Sequence, residues 1–237
     1  MAQPFQFKQF SISQEHSALK LGTDAVLLGS IARFNHPKSL LDIGTGTGIL
    51  ALMMAQNYDC PIMAIDIDAG AIEDARLNIE NSPWIGRIEA KTISVQDFVA
   101  VCSNKFDGIV CNPPFFSNSL HCDEHKKTIA RHAVSLTPLD LFQSIETLLS
   151  DSGVAYVIIP SSEKMAFESA ARICNLLITN EIDVYPYADS ESHNRIIFSF
   201  AKSWKPLTTK SIYIRNVDRT YSCEYKDLTK DFYLHLH

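Results

Sequence analysis

The stretch NPPFF, residues 112–116, follows the apolar segment FDGIVC and combines hydrogen-bond acceptors with two prolines and two aromatic rings. The Asn112 side chain and the Pro113 carbonyl both offer oxygens that accept hydrogen bonds. Two prolines cannot extend a central strand, because each lacks a backbone N–H and fixes φ. This rigid turn therefore fixes the position of the Pro113 carbonyl and of the aromatic residues that follow it, at the end of a segment that reads as a buried strand.

A second stretch, LDIGTGTGIL, places Gly44, Gly46 and Gly48 between a strand-like and a helix-like segment. The missing side chains let the backbone approach a ligand closely, and the N-terminus of the helix favours a carboxylate or a phosphate. The spacing is GxGxG rather than GxGxxG, so a dinucleotide pyrophosphate turn is a poorer fit. A NAD-dependent oxidoreductase is therefore disfavoured.

Acidic residues follow the next two strand-like segments. Asp66 ends PIMAIDI, where a carboxylate can hold both hydroxyls of a ribose; a helix cap is the alternative use. Asp97 and Phe98 are expected in a turn that ends the third strand, RIEAKTIS. There they can border an adenine by a hydrogen bond and an apolar contact.

The elements that must position these residues alternate regularly along the chain. Apolar strands are predicted at 39–43, 61–67, 87–94, 106–111 and 153–160, with amphipathic helices connecting most of them. This pattern predicts a parallel sheet covered on both faces, whose ligands lie beyond the carboxyl ends of the strands. EIDVYPY and RIIFSFAK follow with no helix between them, which predicts an antiparallel pair. The tail after them is expected to add a short strand and a terminal helix.

Charge is unevenly distributed along the 237 residues. The formal net charge of −6 argues against a generally basic nucleic-acid binder. Residues 1–41 carry +2 and residues 201–237 carry +3, which leaves −11 for 42–200. Both ends can therefore meet a polyanion, although an ordinary solvated surface has the same pattern.

The six cysteines are scattered and form no CxxC pair, which predicts reduced thiols in a cytoplasmic protein. HCDEH, residues 121–125, matches no zinc spacing, so no metal is expected. No apolar run approaches the roughly 20 residues that cross a bilayer, and the N-terminus does not have the pattern of a secretory signal. We expect neither a membrane partner nor secretion.

Four features occur in this order: the glycine loop, Asp66, the pair Asp97-Phe98 and NPPFF. Together they resemble the class I S-adenosylmethionine-dependent methyltransferases over about residues 39–200. The resemblance implies an α/β, Rossmann-like fold with a mostly parallel seven-stranded sheet, a C-terminal antiparallel strand and helices on both faces. It implies S-adenosylmethionine as cofactor, which has no phosphate and needs no phosphate-binding lysine. The cofactor-binding residues that it implies are Asp42, Gly44, Gly46, Gly48, Asp66, Ile67, Asp97, Phe98 and Asn112.

NPPF is similar to the (D/N/S)PP(Y/F/W) signature of methyltransferases that modify amide or exocyclic-amine nitrogens. The catalytic residues that the signature implies are Asn112, Pro113, Pro114 and Phe115. It admits adenine N6, cytosine N4, guanine N2 and the glutamine side chain, so the motif does not choose the acceptor.

The flanking segments are similar to those of one family. The preamble 7–32, NSPW at 81–84 and the tail 226–234 resemble bacterial tRNA adenine-N6 methyltransferases, which modify adenine 37 in the anticodon loop of a valine tRNA. Phe115 and Phe116 stand where relatives often have tyrosines, which keeps stacking and removes a phenolic hydrogen bond. A glutamine-N5 protein methyltransferase, a guanine-N2 ribosomal RNA methyltransferase and an RNA chaperone without turnover are the alternatives.

This family resemblance implies a division of the chain and a set of RNA contacts. Residues 1–38 are expected to form a preamble of arm and helix that caps the cofactor site, with Lys20 and Thr23 near the methionine end. Residues 39–237 are expected to form the methyltransferase domain with a basic C-terminal extension. The implied partner is the anticodon stem-loop of a valine tRNA, bound by a monomer. The candidate RNA contacts are Lys126, Lys127, Arg131 and His132.

Overall fold

The computed structural model of the chain describes residues 3–17, 20–113 and 136–235. In this part of the chain, ten strands form a two-stranded sheet and an eight-stranded sheet. The strands are β1 (Phe5–Gln6), β2 (Ser11–Ile12), β3 (Leu40–Ile43), β4 (Ile62–Asp66), β5 (Ile88–Thr92), β6 (Phe106–Cys111), β7 (Leu149–Pro160), β8 (Leu177–Tyr187), β9 (Arg195–Ala201) and β10 (Thr208–Arg215).

Seven α-helices and one 3₁₀ turn, Ser161–Glu163, connect the strands within the described ranges. The α-helices are α1 (Thr23–Ile31), α2 (Ile49–Asn57), α3 (Ala69–Glu80), α4 (Val95–Val101), α5 (Pro138–Leu148), α6 (Lys164–Ile173) and α7 (Cys223–Thr229). None of the helices that the structure describes is long and apolar enough to cross a membrane.

The large sheet has the strand order β10-β8-β9-β7-β6-β3-β4-β5. All neighbouring strands are parallel except at β9, which runs antiparallel to both β7 and β8. The predicted α/β fold and the predicted antiparallel pair are thus confirmed. The count of seven strands is corrected to eight, because the tail strand β10 pairs in parallel with β8 and lengthens the sheet.

The third predicted strand is shorter than expected. β5 ends at Thr92, and the residues expected to form a turn are the helix α4. The Ser94 side chain accepts a hydrogen bond from the backbone N–H of Asp97 at 3.0 Å and so caps α4. Asp97 therefore lies in the first turn of a helix rather than at the end of a strand.

Buried apolar residues form one cluster on each face of the sheet. α1, α2, α3 and α7 contribute to the first cluster, and α4, α5 and α6 to the second. Every residue of β3 is buried, as expected for a central strand covered on both faces. The first cluster also includes Phe7, Phe10 and Ile12 of the N-terminal arm.

One aromatic group joins the three segments that the sequence analysis singled out. Phe7 stacks on Phe10 with ring centroids 4.7 Å apart, and Phe10 meets Trp84 of NSPW edge-on at 5.8 Å. Phe7 also stacks on Tyr233 of the tail at 5.6 Å, and the backbone N–H of Lys8 donates to Phe232 at 2.8 Å. The arm is thereby fixed to the body of the protein.

Candidate active site

The glycine loop leaves β3 beside the end of β4. The backbone N–H groups of Gly44 and Thr45 donate to Ile65 at 2.9 and 3.0 Å. Gly44, Gly46 and Gly48 have φ values of 70°, 56° and 82°, a region that side chains rarely permit. A Cβ at Gly44 or Gly46 would meet no atom within 4 Å, so the backbone there borders open space.

Asp42 lies fully buried just before this loop. Its Oδ2 accepts hydrogen bonds from Thr45 Oγ1 at 2.5 Å and from the backbone N–H of Ala51 at 3.1 Å. Oδ1 has no hydrogen-bond partner among the described residues. Burial raises the pKa of Asp42 to about 7, although both hydrogen bonds lower it. A buried carboxylate oxygen without a partner is costly, and its chemistry fits a cationic group such as an ammonium.

The titration of Asp42 gives a prediction about the protein without ligand. Its folded-state pKa is raised, so the native state binds this proton more tightly than the unfolded state. The contribution is fully present below about pH 4 and is lost as pH rises through about 7, by up to roughly 1.4 kcal/mol per unit. We expect Asp42→Asn to flatten the dependence of unfolding free energy on pH, measured by urea denaturation between pH 5 and 8. Asp59→Asn, at a side chain that is 97% exposed, is the matched control, and an unchanged slope in Asp42→Asn contradicts the prediction.

Asp66 lies at the end of β4, the strand next to β3. Its Oδ2 accepts from the N–H of Gly46 and its Oδ1 from the N–H of Asp68, both at 2.9 Å. Burial raises the pKa of Asp66. Each oxygen keeps acceptor capacity for a further donor, because a carboxylate oxygen can accept more than one hydrogen bond. The next residue, Ile67, is 55% exposed and presents an apolar surface beside this carboxylate.

Asn112 and Pro113 follow the strand on the other side of β3. Ile43 pairs with Cys111 of β6 and with Ile65 of β4, so the residues after these three positions leave the sheet side by side. Neighbouring strands are about 4.8 Å apart. Burial raises the pKa of the Cys111 thiol, and so do the nearby carboxylates of Asp42 and Asp66. Asn112 is half-buried and Pro113 is buried.

The side chains of Asp97 and Phe98 lie in different surroundings. The Asp97 carboxylate accepts from Ser94 Oγ at 2.7 Å at the start of α4. The Phe98 ring lies in the second core cluster, 6.2 Å from the ring of Phe106. It also lines a cleft with Lys105, which precedes β6 at the opposite edge of the sheet. The expected apolar contact of Phe98 with an adenine is therefore wrong, because the side chain belongs to the core.

Two polar residues of α3, which the sequence analysis did not identify, hold the preamble. Asn78 accepts from the N–H of Ser13 at 2.8 Å, and its Nδ2 donates to Ser13 and to Thr47 of the glycine loop, both at 2.9 Å. Asp74 accepts from the N–H groups of His16 and Ser17 at 3.0 and 2.7 Å. The side chains of His16 and Asp74 are also hydrogen-bonded to each other, and this hydrogen bond raises the pKa of His16.

These two residues left a signal in the sequence. They are four positions apart on α3, and both fall within its buried stripe of Ala71, Ala75 and Ile79. A polar pair in an apolar stripe needs partners, which here are the backbone of the preamble and of the glycine loop. Lys20 follows this segment and is exposed, and Thr23 begins α1.

The remaining predicted site residues lie outside the described residues. They are Pro114, Phe115, Lys126, Lys127, Arg131 and His132, and HCDEH at 121–125 falls there too. In the ranges that the structure does describe, no three His, Cys, Asp or Glu side chains are grouped to hold a metal ion.

Comparisons with known proteins agree with this geometry. The model of the methyltransferase small domain family matches residues 16–138. A tRNA1(Val) (adenine(37)-N6)-methyltransferase of Trichodesmium erythraeum is 38% identical over 97% of this chain and 97% of that protein. One of Phocaeicola vulgatus is 40% identical over 98% of each. A crystal structure titled as a predicted O-methyltransferase from Agrobacterium tumefaciens has a TM-score of 0.69 at 16% identity, covering 88% of this chain and 96% of its own, which shows the shared fold.

Proposed function

This chain belongs to the family of tRNA1(Val) (adenine(37)-N6)-methyltransferases, and we propose that it methylates N6 of adenine 37 in the anticodon loop of a valine tRNA. The observation that carries the proposal is the position of Asn112, which leaves the sheet directly beside the glycine loop and two strands from Asp66. An amine-binding turn and a nucleoside-binding rim thus share one edge.

The donor set fits S-adenosylmethionine, which when bound supplies a methyl group on a positively charged sulfur. In this proposal the unpartnered oxygen of Asp42 faces the methionine ammonium, and the open space beside Gly44 and Gly46 admits the methionine backbone. Asp66 accepts hydrogen bonds from the ribose hydroxyls with its remaining acceptor capacity. Gly48 has a structural role instead. It has no Cβ, so α3 can pack closely against it: a Cβ there would lie 3.3 Å from Ala75.

The adenine of the cofactor is assigned to Ile67 and Asp97. Ile67 offers an exposed apolar face next to Asp66, which suits a flat aromatic base. The Asp97 carboxylate, at the start of α4 and bonded to Ser94, keeps acceptor capacity for an exocyclic amine. Phe98 contributes only by packing α4 onto the sheet.

The acceptor amine is held by Asn112 and Pro113. An exocyclic amine delocalises its lone pair into the ring and is a weak nucleophile. Two hydrogen bonds from N6, to Asn112 Oδ1 and to the Pro113 carbonyl, orient the nitrogen and favour the tetrahedral geometry that develops during transfer. The excess proton leaves afterwards, so no general base is required beforehand. Pro114 stiffens the turn in this proposal, and Phe115 stacks on the target base.

An unpaired loop suits this site. Adenine in an anticodon loop is already outside a duplex, so turning it into a rim pocket costs little unpairing energy. The preamble, residues 1–38, is proposed to cap the methionine side, with Lys20 and Thr23 at its mouth. Asp74 and Asn78 fasten that preamble to α3, and Asn78 ties it to the glycine loop itself.

The test is incubation of the purified protein with methyl-labelled cofactor and bulk tRNA from a strain that lacks the modification, followed by nucleoside analysis. We expect label in N6-methyladenosine. N2-methylguanosine, or label in protein only, overturns the proposal and favours a guanine-N2 or a glutamine-N5 methyltransferase.

Reversing two proposed phosphate contacts gives a separate prediction. Lys126→Glu with Lys127→Glu is expected to weaken tRNA binding and to reduce the slope of log Kd against log salt by about 1.5 to 2, because each lost contact reduces counterion release. The measurement is filter binding at several salt concentrations. Lys38→Glu with Lys105→Glu makes the same charge change at the opposite edge of the sheet and serves as control. Equal slopes for wild type and the first double variant rule out these contacts.

A further inference from the structure

Three tyrosines lie together at the ends of β8 and β10, and we name Tyr185, Tyr187 and Tyr213 the tyrosine face. Tyr185 and Tyr213 are cross-strand partners whose rings stack with centroids 5.0 Å apart at an angle of 28°. Tyr187 is two residues further along β8 and so points to the same side of the sheet. The guanidinium of Arg219 lies 4.1 Å from the centre of the Tyr187 ring.

This side of β10 is open to solvent. α7 packs on the other side, where Ile212 and Tyr225 are both buried in the first core cluster. Tyr213, the neighbour of Ile212, points away from that cluster and is 37% exposed. Tyr185 and Tyr187 are half-buried. The ring of Tyr185 stacks on Tyr213 and meets the ring of His193 edge-on at 5.7 Å, and Arg219 lies over the ring of Tyr187. Flat aromatic surface is thus presented on a rigid sheet.

The tyrosine face is at the same edge of the sheet as the candidate active site. β8 is antiparallel to β9, which is antiparallel to β7, so β8 and β10 run in the direction of β6. They also continue past its end, because the register places Cys111 level with Glu181 of β8 and Thr209 of β10. Four strand spacings separate β10 from β6. Those spacings, with a rise of about 10 Å along the strands, place Asn112 and Tyr213 roughly 22 Å apart. About six stacked nucleotides, at 3.4 Å each, cover such a distance.

The chemistry of this surface favours bases over phosphates. Asp183 shares the face and lies 3.7 Å from His193, and Asp189 pairs with Arg219 at 2.9 Å. These carboxylates offset the local positive charge, so a polyanion gains little from it. Aromatic rings on an open sheet instead bind unpaired bases by stacking.

We infer that the tyrosine face binds unpaired nucleotides of the RNA substrate while the target adenine occupies the site at Asn112. The inference rests on the proposed function for its substrate class. Bases splayed from the loop stack chiefly on Tyr213, whose ring is supported by the stacked ring of Tyr185. Tyr187 extends this surface, and the remaining guanidinium donors of Arg219 contact the bases or their sugars. The binding energy is gained away from the reacting amine, so it positions the RNA without chemistry.

The experiment measures binding of an unmodified valine tRNA transcript to the full-length protein by fluorescence anisotropy, together with methylation of the same transcript. Tyr185→Ala with Tyr213→Ala is expected to raise Kd roughly 5- to 100-fold and to leave the salt slope unchanged. Tyr185→Phe with Tyr213→Phe keeps the rings and is expected to bind as wild type does. Trp204→Ala removes a 77% exposed aromatic side chain from the connection between β9 and β10, at the other edge, as matched control.

Each outcome decides the inference. Loss of tRNA affinity in the alanine pair alone supports it, provided that thermal melting and cofactor affinity match wild type. An unchanged Kd overturns it, and so does an equal loss in the phenylalanine pair or in Trp204→Ala. The proposed function is judged separately: it fails if the wild-type protein produces no N6-methyladenosine in the transcript, whatever the tyrosine variants do.

Discussion

Asn112→Ala is expected to lower kcat about 100- to 1000-fold while the affinity for the cofactor stays within about twofold of wild type. The side chain leaves β6 beside the glycine loop but contributes nothing to its hydrogen bonds with β4. Its loss removes one of two acceptors that orient the attacking amine, and interactions realised in the transition state typically contribute this much. Single-turnover kinetics and titration with S-adenosylhomocysteine make the two measurements.

A conservative variant and a matched control accompany this experiment. Asn112→Asp keeps an acceptor oxygen that the signature admits and is expected to retain partial activity. Asn104→Ala makes the same change just before β6, at the far edge of the sheet, and is expected to leave kcat as it is. A cofactor affinity that falls in parallel with kcat in Asn112→Ala would mean that this residue organises the cofactor rather than the acceptor.

Asp66→Asn is expected to have the opposite kinetic signature, with a Kd for S-adenosylhomocysteine raised about 100-fold. Both carboxylate oxygens already accept backbone N–H groups, from Gly46 and Asp68. An amide has one acceptor oxygen, so the variant gives up a loop contact and the ribose contacts together. Hydrogen bonds to a charged group contribute about 1.5–3 kcal/mol each, and two of them correspond to the expected factor.

Saturating cofactor is expected to restore most of kcat in Asp66→Asn, because the residue acts in binding. Isothermal titration and steady-state kinetics test both parts. Asp59→Asn, which changes an exposed acid before the start of the same strand, is the control. If Asp66→Asn binds the nucleoside normally, the ribose has another partner and the carboxylate serves only the backbone of the loop.

Much of the candidate site could be predicted from the sequence because of one geometric rule. Parallel strands that alternate with helices end at a common edge, so Gly44, Asp66 and Asn112 had to meet once three strands were recognised. The strands themselves were recognisable, since β3 and β6 are short, largely apolar runs. β3 is followed at once by Gly44, and β6 by Asn112 and then Pro113.

Other features depend on contacts that local patterns do not encode. Asp97 was expected after a strand because the capping role of Ser94, which starts a helix there, competes with strand-like alternation. The position of Phe98 was mispredicted for the same reason, and its side chain lies in the core. Asp74 and Asn78 resemble the solvent side of an amphipathic helix until the preamble supplies their partners, which lie 57 and 65 residues earlier in the chain. The eighth strand depends on a parallel pairing between segments that are about 30 residues apart.

The stacking of Phe7 on Tyr233 has a consequence for how the protein is made. Phe7 leaves the ribosome early, but the ring that it packs against and the Phe232 carbonyl that receives Lys8 are synthesised more than 220 residues later. Until that moment the arm is held by earlier parts of the chain, through Trp84 and through Asn78, while the parallel strands β3, β4 and β6 can already pair. Translation order therefore leaves the docking of the two chain ends as a late event, and a nascent chain halted before Phe232 lacks the contact that joins its beginning to its end.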